Sequence, residues 1–469
     1  MTTNPFLTLD QQRVGDIYTS SEVMDNLTIL CDEFGSRFGG TPGEKQAADF
    51  IKQKLEAYGL QNVWLEPVEY VGWRRGDVTF EITSPIQMTI PCITLPHSPP
   101  VDLEAVLYNA GDGGPKEFEE AGEQAAGKIA MVTSRPQTKG VKRWVHRLEK
   151  YGHSMLAGAA GFIFVNHYPG YGPATGSIGG IGDTDEGLIP AISIGYEDGM
   201  FLARLLERKG EVKVRIRSTD VCEPMTSWNV SGEIPGTAAN PQIVMLGSHY
   251  DGHDISQGAI DPASGTVAVM EAVRVLAKYA GRLPQTVRVV LWGIEEIGLV
   301  GSYDYVKQHA AELDNIRFYF NMDSAGGASP KDVMLNEWQA LAPVFKGWQK
   351  EMALDFRVGQ TVSAFSDHFP FLQQGVPTGG MESVERSFGG RGYGHTRYDT
   401  LDKAELHHLR DASALAARLA LRVASAEAWP VTRRSQAEVA QILDRPEYNE
   451  ERANMNKIAD YVASKRKAK

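Results

Sequence analysis

The chain has 469 residues, of which 42% are hydrophobic, enough apolar content for the cores of two folded units. Its formal charge of -12, from 47 Lys and Arg against 59 Asp and Glu, argues against nucleic acid and anionic membrane surfaces as partners. Its three cysteines, Cys31, Cys92 and Cys222, form no CxxC pair, so neither a disulfide framework nor a thiolate metal site is expected. Any metal must therefore be bound by histidine and carboxylate side chains.

The first residues show no basic segment followed by an apolar run, and no stretch of the chain is apolar enough to span a bilayer. We therefore expect a cytoplasmic protein that makes no membrane contact. A small, uncharged or mixed-charge substrate fits this composition. Whether the chain forms a homo-oligomer is left open by the sequence.

Near the N-terminus the sequence predicts a helix with clear start and stop signals. Thr41 is the expected N-cap, Pro42 the first helical residue and Glu44 the partner in a capping box. Gly59 marks the end of the helix.

The residue composition and pattern of the remaining chain change at two points. Residues 100–222 combine glycine-rich turns, short apolar runs and one clear helix, which indicates a small α/β insert between residues 1–99 and 223–430. The last segment, 401–469, is predicted as a packed, polar helical region with a solvated basic end, and residues 431–469 form its C-terminal helical tail. Within the main part, strands and helices alternate in this order: strand 242–249, helix 264–280, strand 286–293, helix 301–310 and strand 316–323. Such alternation predicts an α/β fold with a mostly parallel sheet covered on both faces.

Acidic and histidine residues follow the ends of these strands. His249 ends the first strand, Glu295 and Glu296 follow the second, and Asp323 ends the third. Ligands of open α/β sheets bind beyond the carboxyl ends of strands, so these side chains should converge. Each residue alone is weak evidence, since a lone histidine is usually structural and a glutamate pair is usually solvated. A further histidine, His395, lies in a glycine-rich loop, and the whole set meets the needs of two divalent cations.

Five motifs occur together between residues 228 and 426: "GSHYDGHDISQGAID", "LWGIEEIGLVGS", "FNMDSAG", "SAFSDHFPFLQQGVP" and "GYGHTRYDT". With the N-terminal "FGSRFGGTPGEKQAADFIKQKLEAYGL", they resemble the di-zinc aminopeptidases of metallopeptidase family 28, which include the plasma glutamate carboxypeptidase group. The insert, with "GKIAMVTS", "AGAAGFIFVNH" and "IPAISIGYEDG", resembles a protease-associated domain. The resemblance implies a mixed, mostly parallel sheet flanked by helices, with the insert shaping the cleft or supporting assembly.

The resemblance also implies two zinc ions per chain and a role for each motif residue. His249 and Asp323 would bind one zinc, Glu296 and His395 the other, and Asp261 would bridge them. Glu295 would be the general base, taking a proton from a bridging water and passing it to the leaving amine.

Asp251 matches the position of an aspartate that supports the metal ligands, and we expect it to accept the second N–H of the His249 ring. His253 and Asp254 have no counterpart in the resembling proteins and are expected to face solvent. Asp261 precedes Pro262, where the family commonly has a cis bond to Asp or Asn, and we expect a cis peptide here too.

Other residues in these motifs are candidates for substrate contacts. Tyr393 could direct its hydroxyl at a tetrahedral oxyanion or simply pack over the pocket. Asp367 and Arg391 are candidates for binding the substrate, the latter through a carboxylate, as is Arg397, although surface arginines are usually just solvated. His368 is expected to be structural.

The function indicated is a zinc exopeptidase of small peptides, an aminopeptidase or dipeptidase. Two alternatives are kept. A glutaminyl cyclase would use one zinc, and the full two-metal ligand set disfavours it. A non-catalytic peptide-binding relative would be expected to have lost ligands, and none of the six key positions is lost.

Overall fold

The protein is described by a computed structural model that covers residues 4–179, 185–327, 331–383 and 392–467. The strands, in chain order, are β1 (Gln61–Arg74), β2 (Val78–Ser84), β3 (Met88–Ile90), β4 (Cys92–Thr94), β5 (Val101–Asn109), β6 (Ile129–Thr133), β7 (Gly161–Val165), β8 (Ala191–Ile194), β9 (Lys213–Ser218), β10 (Val221–Ile234), β11 (Ile243–His249), β12 (Thr286–Trp292), β13 (Ile316–Asn321), β14 (Lys331–Met334), β15 (Val358–Gly359) and β16 (Thr378–Ser383).

The α-helices are α1 (Leu7–Ser20), α2 (Val23–Thr28), α3 (Pro42–Ala57), α4 (Pro115–Ala121), α5 (Arg147–Leu156), α6 (Tyr196–Lys209), α7 (Ser264–Ala277), α8 (Val300–Gln308), α9 (Ala342–Glu351), α10 (His368–Gln373), α11 (Leu406–Ser425), α12 (Gln436–Leu443) and α13 (Pro446–Lys467). Short 3₁₀ or π-type turns lie at Ile29–Glu33, Gly122–Ala125, Ala259–Ala263, Ala310–Asn315, Gln339–Leu341 and Leu401–Lys403. Across the described ranges, none of the helices combines the length and apolar character needed to cross a membrane.

The first sheet has the strand order β1-β10-β12-β11-β13-β16-β14-β15. Its centre, β12-β11-β13-β16, is parallel, whereas β1 and β10 add an antiparallel edge. Every residue of β11 and β12 is buried, because helices cover both faces of the sheet. The predicted α/β fold with a mostly parallel mixed sheet is confirmed.

Different sets of helices pack on the two faces of this sheet. On one face, α7 packs against α11 and both bury aliphatic side chains over β11. On the other face, Trp292, Tyr305 and Phe371 form an aromatic core beneath α8 and α10. This arrangement fixes the strands from both sides and leaves their carboxyl ends at one edge of the sheet.

The insert forms a second sheet, with the order β3-β2-β9-β5-β6-β7-β8-β4 and its own apolar core. The sheet already includes β2, which starts at Val78, so the separate unit begins earlier than residue 100, where the sequence predicted it. β1 leads into this unit and β10 leads out of it, and the two strands pair over most of their lengths.

The predicted helix near the N-terminus is α3. Thr41 caps it by accepting a hydrogen bond from the Glu44 backbone N–H at 3.3 Å, and Gly59 follows its end with φ +88°. The Glu44 carboxylate differs from the predicted capping box. It accepts the Gly40 N–H at 2.6 Å and the Ser227 hydroxyl, and so links the helix start to β10.

The C-terminal segment is helical, and residues 464–467 of its basic end are largely exposed. It forms α12 and α13, and α13 packs on α5 of the insert. Ile458 is buried against Gly152, whose lack of a Cβ permits the close approach, and Asn454 Nδ2 donates to Glu149 Oε1 at 2.8 Å. One apolar face on an otherwise polar helix is sufficient to dock it on the insert.

Candidate metal centre

The candidate ligands of three neighbouring parallel strands meet at one edge of the first sheet. His249 is the last residue of β11, Glu295 and Glu296 follow β12, and Asp323 follows β13. Asp261 and His395 come from loops that fold over the same edge. The structure therefore brings all the sequence-predicted metal ligands together, as parallel strand ends require.

One group of ligand atoms surrounds His249. Its Nε2 lies 3.4 Å from Asp261 Oδ1 and 3.4 Å from Asp323 Oδ1. Ligand atoms about 2.0–2.1 Å from a tetrahedral zinc are about 3.4 Å apart, so these distances fit one metal position. A carboxylate oxygen of Glu295 also lies within 4.8 Å of ligand atoms of His249 and Asp323. Glu295 is thus adjacent to this position.

A second group surrounds His395. Its Nε2 lies 3.5 Å from Asp261 Oδ2, so the two oxygens of Asp261 face two different histidines. Glu296 belongs to this group and is buried, and its Oε1 has no hydrogen-bond partner among the described residues. A buried carboxylate oxygen without a partner is costly unless a cation compensates it. The donor set of nitrogen and oxygen atoms fits divalent zinc.

The pKa values of carboxyl groups at this edge are strongly shifted. Burial raises the pKa of Glu295 and of Glu296 well above the ordinary glutamate range, and Asp323 and Asp261 respectively raise it further. Burial would also raise the pKa of Asp261, but hydrogen bonding to His249 and His395 holds it well below its usual range. Carboxylates crowded in this way favour a bound cation.

Asp251 supports the site differently from the prediction. Its backbone oxygen, rather than its carboxylate, is the nearer partner of His249 Nδ1, at 3.0 Å against 3.5 Å for Oδ1. The carboxylate instead accepts the backbone N–H groups of Glu295 at 3.0 Å and Glu296 at 3.2 Å. These two hydrogen bonds orient the turn that carries both glutamates.

A second supporting aspartate, Asp399, was missed from the sequence. Its carboxylate accepts the backbone N–H groups of Ile260 at 2.9 Å and Asp261 at 3.0 Å. The Asp261–Pro262 peptide is cis, as expected. The only sequence signal for Asp399 was its place four residues after His395 in a motif with several polar residues.

Two residues at the site have left-handed backbone conformations that are uncommon outside glycine. Ile294, just before the glutamate pair, has φ +59°, and His395 has φ +56°. Such conformations persist only where the surrounding structure enforces them, and they cluster at functional sites. The sequence contains no signal for either.

The segment before α10 lies beneath Asp323. Ser366 Oγ donates to Asp323 Oδ2 at 2.9 Å and accepts from Asn321 Nδ2 at 2.7 Å, so it orients this ligand. Burial raises the pKa of Asp367 to about 7, and Asp251 and Asp323 raise it as well. Its neighbour His368 is buried and burial lowers its pKa to about 4, in agreement with the predicted structural role.

The expectation that His253 faces solvent is wrong. Its side chain is 3% exposed, and its Nε2 lies 2.8 Å from Glu296 Oε2 and 3.1 Å from His395 Nδ1. The loop turns inward here because Arg75 binds Asp254 at 2.7 Å and 2.8 Å. Asp254 is therefore a half-buried ion-pair partner, and not a ligand.

Three further residues were predicted as candidates for substrate contacts: Tyr393, Arg391 and Arg397. Tyr393 is half-buried in the same turn as His395, with its carbonyl accepting the Thr396 N–H at 3.0 Å, and its oxyanion role stays a prediction. Arg391 lies outside the described residues. Arg397 is exposed and its guanidinium donates to the Tyr398 hydroxyl at 3.0 Å.

The insert reaches this edge of the first sheet. The Thr175 backbone N–H donates to the His395 carbonyl at 2.7 Å, and the His146 ring stacks on Phe365 with centroids 4.0 Å apart. Burial lowers the pKa of Arg147 of the insert, and the charges of Glu296 and Glu295 oppose this shift. No pattern in the sequence singled out Arg147.

Comparison with known proteins agrees with this architecture. Residues 229–420 match the family model described as "Peptidase family M28", and residues 99–202 match the one described as "PA domain". Carboxypeptidase Q of Bos taurus is 29% identical over 309 residues, which cover 64% of this chain and 64% of that protein. The chain thus aligns with less than two thirds of the length of this curated relative.

Two solved structures share the fold. The peptidase M28 precursor of Shewanella amazonensis SB2B has a TM-score of 0.75 at 26% identity, covering 90% of this chain and 97% of its own. A zinc aminopeptidase from Bacillus subtilis has a TM-score of 0.66 at 24% identity, and the match covers 87% of this chain and 95% of that protein. Residues 229–420 are therefore similar to peptidase family M28, and residues 99–202 before them are similar to a PA domain.

Proposed function

We propose that the protein is a zinc-dependent exopeptidase of short peptides, binding two zinc ions per chain. One observation carries this proposal. The two oxygens of Asp261 face His249 and His395, with Asp323 beside the first histidine and Glu296 beside the second. The carboxypeptidase and zinc aminopeptidase named above support the same class of reaction.

When bound, zinc would act as a Lewis acid on the scissile carbonyl and lower the pKa of a water molecule. The chain supplies the proton transfer. Glu295 lies next to the His249 group, and its raised pKa suits a residue that accepts a proton and later donates it to the leaving amine. Asp251 keeps Glu295 and Glu296 in place through their backbone N–H groups.

Metal analysis and blocked peptides test the proposal. Protein purified without chelators should contain close to two zinc ions per chain, and a chelator should remove both the metal and the peptidase activity, which zinc then restores. Cleavage lost on N-blocking but not on C-blocking identifies an aminopeptidase, whereas dependence on both free ends identifies a dipeptidase. A zinc content near zero, or no cleavage of any short peptide by the zinc-loaded protein, contradicts the proposal.

Arg147 is our candidate for binding the substrate carboxylate. Burial lowers its pKa to about 10, while Glu296 and Glu295 raise it, so it stays charged at neutral pH. Its Nε donates to the Ser177 carbonyl at 2.9 Å, and Gly176 packs against the guanidinium where any side chain would clash. These contacts hold the guanidinium in a fixed orientation, which favours carboxylate recognition.

We expect Arg147→Ala to raise KM for an unblocked dipeptide by about 10- to 100-fold, the effect of losing a charged hydrogen bond. The amidated dipeptide lacks the carboxylate, so its KM should change far less. Steady-state kinetics on both substrates measures this difference. Lys142→Ala, which removes an exposed cation from the same insert, is the matched control and should leave both KM values unchanged. Equal KM effects on the two substrates would rule out this role for Arg147.

A further inference from the structure

A line of buried polar side chains runs from the core of the first sheet to the Asp323 carboxylate. Trp292 Nε1 donates to the Tyr319 hydroxyl at 2.7 Å, and that hydroxyl donates to Asn321 Oδ1 at 2.9 Å. Asn321 Nδ2 donates to Ser366 Oγ at 2.7 Å, and Ser366 Oγ donates to Asp323 Oδ2 at 2.9 Å. We call these five residues the Trp292–Asp323 network.

The two ends of this network fix the direction of every hydrogen bond within it. The indole N–H of Trp292 can only donate, and an ionised Asp323 carboxylate can only accept. The Tyr319 hydroxyl accepts from the indole, so its own proton is free for the next residue. Hydrogen bonds that point the same way polarise one another, so the last bond, to the carboxylate, is strengthened by those behind it.

A glycine in the central strand makes room for the network. Gly247 lies on β11, between β12, which ends at Trp292, and β13, which carries Tyr319. A Cβ at residue 247 would come within 2.6 Å of the Tyr319 hydroxyl oxygen and 3.0 Å of Trp292 Nε1. Glycine weakens the interior of a strand and often marks a close approach. The hydrogen bond across β11 is the close approach that this glycine permits.

At its other end the network occupies one of the two oxygens of Asp323. Oδ2 accepts the Ser366 hydroxyl, whereas Oδ1 lies 3.4 Å from His249 Nε2, a separation that fits two ligands of one metal. The Asp323 side chain is 38% exposed, so packing around it does not fix the carboxylate. The hydrogen bond to Oδ2 supplies that restraint and leaves Oδ1 for the metal.

We propose that Tyr319 is a positioning residue of the metal centre, which acts through Asn321 and Ser366 to present Asp323 Oδ1 to the metal of the His249 group. This inference rests on the proposed function, because it concerns a ligand of one of the two zinc positions. Tyr319 itself touches neither the metal position nor a substrate. Its effect is on how firmly and in what geometry that metal is held.

The test compares Tyr319→Phe with the unaltered protein. The substitution removes one hydroxyl and keeps the ring, so it interrupts the network without leaving a large cavity. Tyr305→Phe is the matched control, because Tyr305 is an equally buried tyrosine of the same aromatic core whose hydroxyl accepts from Arg288 Nη1 at 2.8 Å. Circular dichroism of the metal-free proteins checks that both variants are folded.

Zinc affinity is measured by competition with a chromogenic chelator, and ligand geometry by the visible absorption of the cobalt(II) forms. Ser366→Ala, which removes the bond to the carboxylate, should weaken binding of one of the two metals by about 10- to 100-fold. Tyr319→Phe should weaken binding of the same metal by about 3- to 10-fold, the effect of one hydrogen bond, and should alter its cobalt spectrum. Tyr305→Phe should match the unaltered protein in both measurements.

A double variant shows whether Tyr319 acts through Ser366. Tyr319→Phe combined with Ser366→Ala should bind zinc no more weakly than Ser366→Ala alone, because the network is already cut at the carboxylate. Additive losses, an unchanged affinity and spectrum in Tyr319→Phe, or equal changes in Tyr305→Phe would each overturn the inference. The proposed function would survive those results, since the unaltered protein would still bind two metals and cleave peptides. An unaltered protein that binds no zinc would contradict the proposed function and this inference with it.

Discussion

Replacing Glu295 by glutamine should lower kcat for peptide hydrolysis by about 10²- to 10⁴-fold while both zinc ions stay bound. Glutamine keeps the size of the side chain but cannot accept a proton. Glu295 is adjacent to the His249 group, and burial raises its pKa well above the usual range. Proton transfer should therefore be lost without loss of metal, which zinc analysis and steady-state kinetics on one peptide together measure.

The neighbouring residue provides a matched control. Glu296→Gln makes the same chemical change one position along, but Glu296 belongs to the His395 ligand group. This variant should lose affinity for one metal, which Glu295→Gln should not. Turnover within threefold of the unaltered chain in Glu295→Gln, or loss of zinc from it, would remove Glu295 from the role of base.

A second large effect is expected from Arg422, far from the metal centre. Its side chain is fully buried on α11, and its Nη2 lies 2.8 Å from both Asp10 Oδ2 and Glu351 Oε1. Burial would raise the pKa of Asp10, but Arg422 and Arg418 hold it below its usual range. The guanidinium thus joins α1, α9 and α11 in one ionic network.

Arg422→Ala should lower the free energy of unfolding by about 3–5 kcal/mol, because it leaves Glu351 without its cation and leaves the buried Asp10 with Arg418 alone. Urea denaturation followed by tryptophan fluorescence is suitable, since Trp348 lies on the same helix as Glu351. The control is Lys139→Ala, which removes an ion pair with Glu120 whose side chains are 59% exposed. The Lys139→Ala substitution should lower the free energy of unfolding by less than about 1 kcal/mol. Equal effects of the two substitutions would show that the network adds no stability.

Local patterns in the sequence were sufficient to predict the central sheet. The apolar runs at β11, β12 and β13 alternate with amphipathic helices, and this pattern depends on neighbouring residues alone. For the same reason Thr41 and Gly59 marked the ends of α3 correctly. The polar residues directly after these strands could be placed at one edge, because parallel strands end at the same side of a sheet.

The errors arose where a residue's environment is made by distant parts of the chain. His253 was expected in solvent, but its partner His395 is 142 residues away and closes over it only in the folded chain. The sequence predicted packed C-terminal helices but not their partner, since the docking of α13 on the insert depends on Gly152, which leaves room for Ile458. No local pattern predicts either contact.

The sequence by itself therefore determined the sheet, the type of ligands and the strand ends that carry them, since hydrophobic periodicity and strand direction act locally. Only the tertiary structure decided how these groups are supported and covered. Asp399 orients Asp261, Ser366 orients Asp323, and the Thr175 backbone N–H of the insert donates to the His395 carbonyl. Each of these contacts joins segments far apart in sequence, so it depends on how the chain packs and not on its local pattern.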